Sequence, residues 1–222
     1  MSKRSIEFHV ISSQQVNHNL EFSRFAEIWP YVTSLHLRKK EKERSYEEME
    51  QIIHRLQELK VPMNKLTLNR QKELALVYET GALHVGVQEV DPALKNALYR
   101  KEEWHSGTSK GTVRLGVSVH SLEDAKIAEK EGADYIFYGH MYPSNSKPGL
   151  APRTLLSLQE ICDVINLPVI AIGGITPQRV EELILAGASG IAVISGVLQS
   201  QDSLGAVFRY RKELEKYGDI EQ

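Results

Sequence analysis

The sequence predicts a (β/α)8 TIM barrel, and three observations carry that prediction. Val169 to Ile172 and Ile191 to Ile194 are continuous apolar runs, the pattern of strands covered on both faces of a parallel sheet. Eight strand-like segments can be counted along the chain, each followed by a helix or by a loop where one could sit. A parallel sheet connected in this way closes without edges, which favours a barrel over an open doubly wound sheet. Finally, the last two strands end in small residues, Gly173-Gly174 and Ser195-Gly196, where backbone amides can close on a ligand without side chains intervening. Loops at this place in a barrel commonly bind phosphate, so a phosphorylated small molecule is the leading ligand class. The same glycines also suit plain strand-to-helix turns.

The elements follow in order. Ile6 to Ile11 reads as the first strand, and a helix near Leu20 to Trp29 places Leu20, Phe25 and Ile28 on one side until Pro30 stops it. Thr33 to Leu37 is the second strand, followed by a charged loop from Arg38 to Lys42. A helix then opens at Ser45-Tyr46-Glu47-Glu48 with a capping-box pattern and runs to about Leu59. Lys65 to Leu68 is the third strand, ending at Asn69-Arg70; the helix after it reaches Thr80 with Gly81 as its cap, and Leu83 to Gly86 is the fourth strand. From Gln88 to Thr112 the pattern is hard to read beyond a short helix at Ala93 to Tyr99 and a mobile Gly-Thr-Ser-Lys-Gly turn. The βα rhythm is clean from Val113: strand to Val117, helix Leu122 to Glu131, strand Tyr135 to Tyr138, loop Gly139 to Leu150 and helix Thr154 to Ile165. After the strand at Val169 to Ile172, a helical run from Gln178 to Ala186 leads to the strand at Ile191 to Ile194, and a helix from Ser203 to Tyr217 ends the pattern.

A chain of 222 residues fits one barrel-sized domain over residues 1–222, long enough to bury about 70% of its unfolded surface. The 27 basic and 29 acidic residues are mixed along the chain, giving a net charge of −2, so no broad polybasic surface for nucleic acid or anionic membrane is indicated. No apolar run reaches membrane-spanning length and the N-terminus lacks a secretory apolar region, which leads to an expected cytoplasmic location. The single cysteine, Cys162, lies on an apolar helical face and reads as a small core residue.

If the barrel closes, residues just past the strands share one rim, where active sites of this fold lie. His36, Arg38 and Lys40, then Asn69 and Arg70, His84, Ser118 and His120, and finally His140, Ser144, Ser146 and Lys147 are the polar candidates there. His140 follows a buried strand through Gly139, and an imidazole at that point can take and give a proton near neutral pH; a histidine bonded to backbone at a strand end fits the position equally well. Arg38 and Lys40 alternate, so their heads can hold one phosphate or carboxylate, with Lys147 covering it from across the mouth; a solvated charge run is the plainer reading. Ser118 has no carboxylate spaced to complete a triad and reads as a lining residue. His9 and His36 also suit barrel-interior positions, while His18, His54 and His105 look like surface residues. A three-histidine metal site is the weakest option, because His120 and His140 have no carboxylate or cysteine at ligand spacing.

With these motifs assembled, the chain resembles the superfamily of thiamin phosphate synthases and TenI-type thiazole tautomerases. The likeness is carried by His36-Leu-Arg38-Lys-Lys40, Leu-Asn69-Arg70, Leu83-His84-Val-Gly86, Leu115-Gly-Val-Ser118-Val-His120-Ser-Leu-Glu-Asp-Ala, Gly132-Ala-Asp-Tyr, Pro143-Ser144-Asn-Ser146-Lys147-Pro148, Val169-Ile-Ala-Ile-Gly-Gly174-Ile and Val193-Ile194-Ser195. Three departures point to a branch. The synthase pattern has Asn-Asp after the third strand, whose aspartate helps bind magnesium pyrophosphate, where this chain has Asn69-Arg70; it has Gly-Pro at Gly139-His140 and a glutamine at His36.

The resemblance implies a thiazole tautomerase with His140 as its acid/base residue. Its substrate is a thiazole phosphate carboxylate, contacted at the phosphate by Gly174, Ile194 and Ser195. Arg38, Lys40, Asn69, Ser118, Ser144, Ser146 and Lys147 match synthase ligand positions. No cofactor and no metal are expected, a homodimer is left open, and Gln88, one residue late against the synthase pattern, leaves the fourth loop undefined. The alternatives are the synthase reaction itself and a regulatory protein that binds thiazole phosphate without chemistry.

Overall fold

A computed structural model describes residues 5–12, 18–38, 45–99, 113–144 and 149–221. In chain order the elements are β1 (Ser5–Ile11), α1 (His18–Ile28), β2 (Ser34–Leu37), α2 (Tyr46–Glu58), β3 (Leu66–Asn69), α3 (Lys72–Val77), β4 (Ala82–Gly86), α4 (Pro92–Tyr99) and β5 (Arg114–Val119). The second half continues with α5 (Leu122–Lys130), β6 (Tyr135–Gly139), α6 (Leu155–Val164), β7 (Val169–Ile172), α7 (Val180–Leu185), β8 (Gly190–Val193), α8 (Ser195–Leu198), α9 (Ser203–Leu214) and β9 (Asp219–Ile220). Strands β1 to β8 pair in parallel in sequence order and β8 returns to β1, so the sheet closes as the eight-stranded barrel the apolar runs predict. The short β9 adds to β1 outside that ring and has no counterpart in the sequence reading. No helix among the described residues is long and apolar enough to cross a membrane.

Alternation along β1 shows how the barrel is lined. Ile6, Phe8 and Val10 join the large cluster between sheet and helices, whereas Ile11 belongs to a separate apolar cluster with Ala82, Tyr135, Phe137, Ile170 and Ala192. Successive strand residues face opposite sides, so Glu7 and His9 share the interior with Ile11. A barrel interior is usually filled by branched apolar residues; this one also holds three buried histidines, His9, His36 and His84. Their rings pack on Phe137 at centroid distances of 5.2, 5.0 and 4.4 Å. Gly116 makes room for them, since a Cβ there would lie 2.2 Å from the Tyr135 ring and 2.5 Å from His84 Nδ1.

Some local expectations change. Gly81 does not cap α3: Glu79 takes the left-handed conformation instead, with φ 49°. Gly81 is required for a different reason, because a Cβ on it would lie 2.1 Å from the Asn64 carbonyl oxygen. The segment read as a helix from Gln178 is a 3₁₀ turn over Pro177–Arg179 that passes into α7. Cys162 is half-buried beside the core, not enclosed by it. The capping box at Ser45 forms as expected, with Ser45 and Glu48 exchanging side-chain and backbone hydrogen bonds. The 107–111 turn lies outside the described residues.

Burial, with the Arg38 charge nearby, pulls the His84 pKa from 6.5 down to about 3. Between these values the unfolded chain binds a proton that the folded barrel refuses, so stability is present above pH 6.5 and lost as pH falls toward 3. From pH 7 to pH 5, a window above the Glu7 titration near 2, His84 is expected to cost the fold about 2 kcal/mol. Urea unfolding at the two pH values checks this: His84→Gln should have a shallower pH dependence than the parent chain, and an equal dependence would contradict the assignment.

Candidate active site

The C-terminal ends of the strands form the barrel mouth, and the loop after β6 is built against the loop after β7. The Met141 and Tyr142 amides donate to the Ile172 and Gly173 carbonyls at 2.9 and 3.1 Å, and the Arg153 amide donates to the His140 carbonyl at 2.8 Å. Gly173 and Gly174 have φ of 101° and 65°, a region that L side chains rarely adopt. They also lack space for one: a Cβ on Gly173 would lie 2.4 Å from the His140 Cβ, and one on Gly174 would lie 2.7 Å from the Tyr142 and Pro143 carbonyl oxygens. His140 is therefore seated directly against the glycine loop. Its ring is buried, and Nε2 lies 3.2 Å from the Leu150 carbonyl oxygen. A carbonyl only accepts, so Nε2 carries the hydrogen and Nδ1 the lone pair.

Residues absent from the sequence reading hold this loop. Arg179 donates to the Gly174 carbonyl at 2.6 Å and lies 4.2 Å over the Tyr142 ring, whose hydroxyl donates to Glu182. Tyr210 donates to the Ile175 carbonyl at 2.9 Å and fills the space beside Gly196, where a Cβ would be 2.2 Å from its hydroxyl. Ile172 pairs with Ala192, so Ile194 and Ser195 leave β8 next to the glycines. Ile194 is half-buried and Ser195 is the exposed first residue of α8, a helix that the sequence reading did not separate from the strand end.

The mouth near β2 to β5 is lined by side chains. Arg38 follows β2, its amide bonded to Ser12 Oγ at 2.8 Å; burial and then the Arg70 guanidinium draw its pKa below the ordinary arginine value. Arg70, with φ 62°, donates from Nε to Glu89 at 2.7 Å. Asn69 ends β3 half-buried, its Oδ1 without a hydrogen-bond partner among the described residues. Ser118 Oγ lies 2.8 Å from His84 Nε2. His84, expected among the rim residues, is corrected by the structure, and His36 takes the barrel-interior position that was one of its two readings; both share strand parity with the interior positions. His120 does reach the rim, with Nδ1 3.2 Å from the Gly139 carbonyl. Ser144 is half-buried in the loop after β6, and Lys40, Ser146 and Lys147 lie outside the described residues.

A cleft of about 370 Å³ opens between the starts of α5 and α6, lined in part by His120, Arg153, Thr154 and Glu160. It lies on the outer side of β6, so the glycine loop and the strand ends, not this cleft, define the candidate site. The described residues contain no group of three or more His, Cys, Asp or Glu side chains arranged to hold a metal ion.

Replacing Gly173 by alanine is expected to weaken binding of inorganic phosphate by tenfold or more and to destabilise the fold by about 1–3 kcal/mol. Calorimetry and urea unfolding measure the two effects, and an alanine variant matching the parent in both would remove the glycine constraint from the site.

Comparison with known proteins gives the family and the fold. The family described as thiamine monophosphate synthase matches residues 9–197. The thiamine-phosphate synthase of Methanococcus vannielii is 26% identical over 216 residues, covering 97% of this chain and 98% of that protein. The protein of the same name from Chlorobium phaeovibrioides is 34% identical over 150 residues, 67% of each chain. Among solved structures, the thiamine phosphate pyrophosphorylase of Pyrococcus furiosus superposes with a TM-score of 0.75 at 25% identity, covering 96% of both chains. A 3-hexulose-6-phosphate synthase, 13% identical with a TM-score of 0.70, shares the fold alone.

Proposed function

Because the chain belongs to the thiamine monophosphate synthase family, we propose that it acts on a thiazole phosphate, and that it does so as a tautomerase. The observation that carries this reading is the seat of His140 against Gly173. An ester phosphate held by the amides around Gly174, Ile194 and Ser195 brings its heterocycle next to an imidazole whose Nδ1 is free to take a proton. The substrate is the non-aromatic carboxythiazole phosphate tautomer. His140 Nδ1 takes the proton from ring C2, the electron pair moves through the ring toward the exocyclic double bond, and the exocyclic carbon is protonated in turn. One C–H bond breaks and one forms, nothing is oxidised, and the aromatic ring makes the step downhill. A placed acid/base group supplies about 10² to 10⁴ in rate. Arg38, Asn69, Ser118 and Ser144, together with Lys40, Ser146 and Lys147, are proposed to hold the carboxylate and ring.

The second reading is the synthase reaction, in which a pyrimidine pyrophosphate is joined to thiazole phosphate; the names of the relatives favour it. The residues after β3 fit it poorly. Magnesium pyrophosphate would meet the Arg70 guanidinium where the synthase pattern has an aspartate, and the nearby Glu89 carboxylate already accepts from Arg70 and from the Gly86 amide.

The tautomerase reading predicts that His140→Asn lowers conversion of the tautomer, followed by ultraviolet absorbance, by at least a hundredfold while inorganic phosphate still binds. Undiminished turnover would exclude His140 as the proton carrier. Magnesium-dependent pyrophosphate release from the pyrimidine and thiazole substrates, at a rate above tautomer conversion, would instead select the synthase.

A further inference from the structure

One buried group of the barrel interior has no part in the chemistry above: a chain of polar side chains running from the N-terminal end of the barrel toward the mouth. Arg114 donates from both terminal nitrogens to Glu7, at 2.9 Å to Oε1 and 3.1 Å to Oε2. His9 Nε2 lies 2.9 Å from Glu7 Oε2, and His9 Nδ1 lies 2.9 Å from His36 Nε2. Beyond it, His36 Nδ1 is buried without a hydrogen-bond partner, as is Oδ1 of Asn69, which lies two residues past Thr67, the β3 partner of His36, and on the same face of that strand. We propose that Glu7, His9 and His36 are positioning residues that fix the orientation of the Asn69 amide at the floor of the mouth.

The direction of each hydrogen follows from its neighbour. An ionised carboxylate only accepts, so His9 Nε2 is the N–H. The proposal takes His9 with that one hydrogen, since Arg114 already balances the one carboxylate of the interior. His9 Nδ1 is therefore a lone pair, and His36 Nε2 must donate to it. That leaves a lone pair on His36 Nδ1 in surroundings closed to bulk water. The Asn69 amide satisfies it in one orientation only, with its NH2 toward His36; the opposite orientation sets two lone pairs face to face. The Asn69 oxygen then remains as a single acceptor of fixed direction for a water that in turn donates to the ligand carboxylate. His84 takes no part, since its two nitrogens face Ser118 at 2.8 Å and the Tyr135 hydroxyl at 3.4 Å.

The tautomer assignment stands by itself; only its effect on ligand affinity rests on the function proposed above. Long-range proton–nitrogen NMR of the full chain labelled with ¹⁵N-histidine should give His9 and His36 as Nε2–H tautomers at pH 7.5. A hydrogen on His36 Nδ1 would overturn the proposal. His9→Gln retains an N–H for Glu7 and an oxygen for His36, so it should keep the His36 tautomer and bind aromatic carboxythiazole phosphate within about twofold of the parent. His9→Leu removes both, and should weaken that ester about tenfold while inorganic phosphate, held by the glycine loop, binds as before. Equal weakening of phosphate and ester in His9→Leu, or a His9→Gln variant as impaired as His9→Leu, would reduce the chain to a general structural role and refute it. If His9→Leu does not fold, the parent spectrum and His9→Gln decide. A parent chain that binds phosphate but not the ester refutes the functional proposal and leaves the tautomers to be judged from the spectrum.

Discussion

The Glu7 carboxylate is the charge on which the barrel interior depends. It is buried, and burial alone would raise its pKa; the hydrogen bonds from His9 and Arg114, with the Arg114 charge, outweigh that and hold it near 2. An ionised carboxylate at this depth orders its surroundings, because every group that touches it must donate. Arg114 is committed by geometry to both oxygens, and His9 is committed to one tautomer. Three histidines can therefore occupy an interior that branched apolar side chains usually fill. Phe137, Tyr135 and the space left by Gly116 supply the packing that imidazoles alone would not.

The two sides of the mouth work by different means. Around β7 and β8 the chain exposes backbone: glycines in the left-handed region, small residues, and a loop braced from outside by Arg179 and Tyr210. Backbone amides at such a loop suit a phosphate. Around β2 to β5 the mouth presents side chains instead, including Arg38, Asn69 and Ser118. Under the proposed function, this second side is where the choice of substrate and reaction would be made.

The fold was legible because the strands of a parallel barrel are covered on both faces, and Val169 to Ile172 and Ile191 to Ile194 show this as unbroken apolar runs. The glycine loop and His140 were legible for a related reason: they follow such runs immediately, so their place at the rim depends only on where the strand ends. His84 was placed at the rim, and His36 left between rim and interior, because strand ends carry an error of a residue or two. Parity would have corrected it. Glu7, His9 and Ile11 alternate with Ile6, Phe8 and Val10, and the partners of Glu7 and His9 must share the interior. What no local pattern reveals is the pairing of Glu7 with Arg114, 107 residues apart, which exists only once the barrel has closed. The bracing of the glycine loop by Tyr210 is equally non-local.

This division bears on how relatives with synthase names and a chain with these residues can share one scaffold. The glycine loop and the barrel are compatible with either reaction, so identity over the whole length reports on them first. The choice of reaction depends on a few positions where the chemistry is incompatible: a cation or a carboxylate after β3, a proton carrier or a proline after β6. Arg70 is held by Glu89 in a left-handed backbone conformation, and His140 is wedged between Gly173 and the Leu150 carbonyl. Neither is a loose surface substitution. Each is supported by surrounding structure, so changing either one disturbs the backbone around it as well as the side chain.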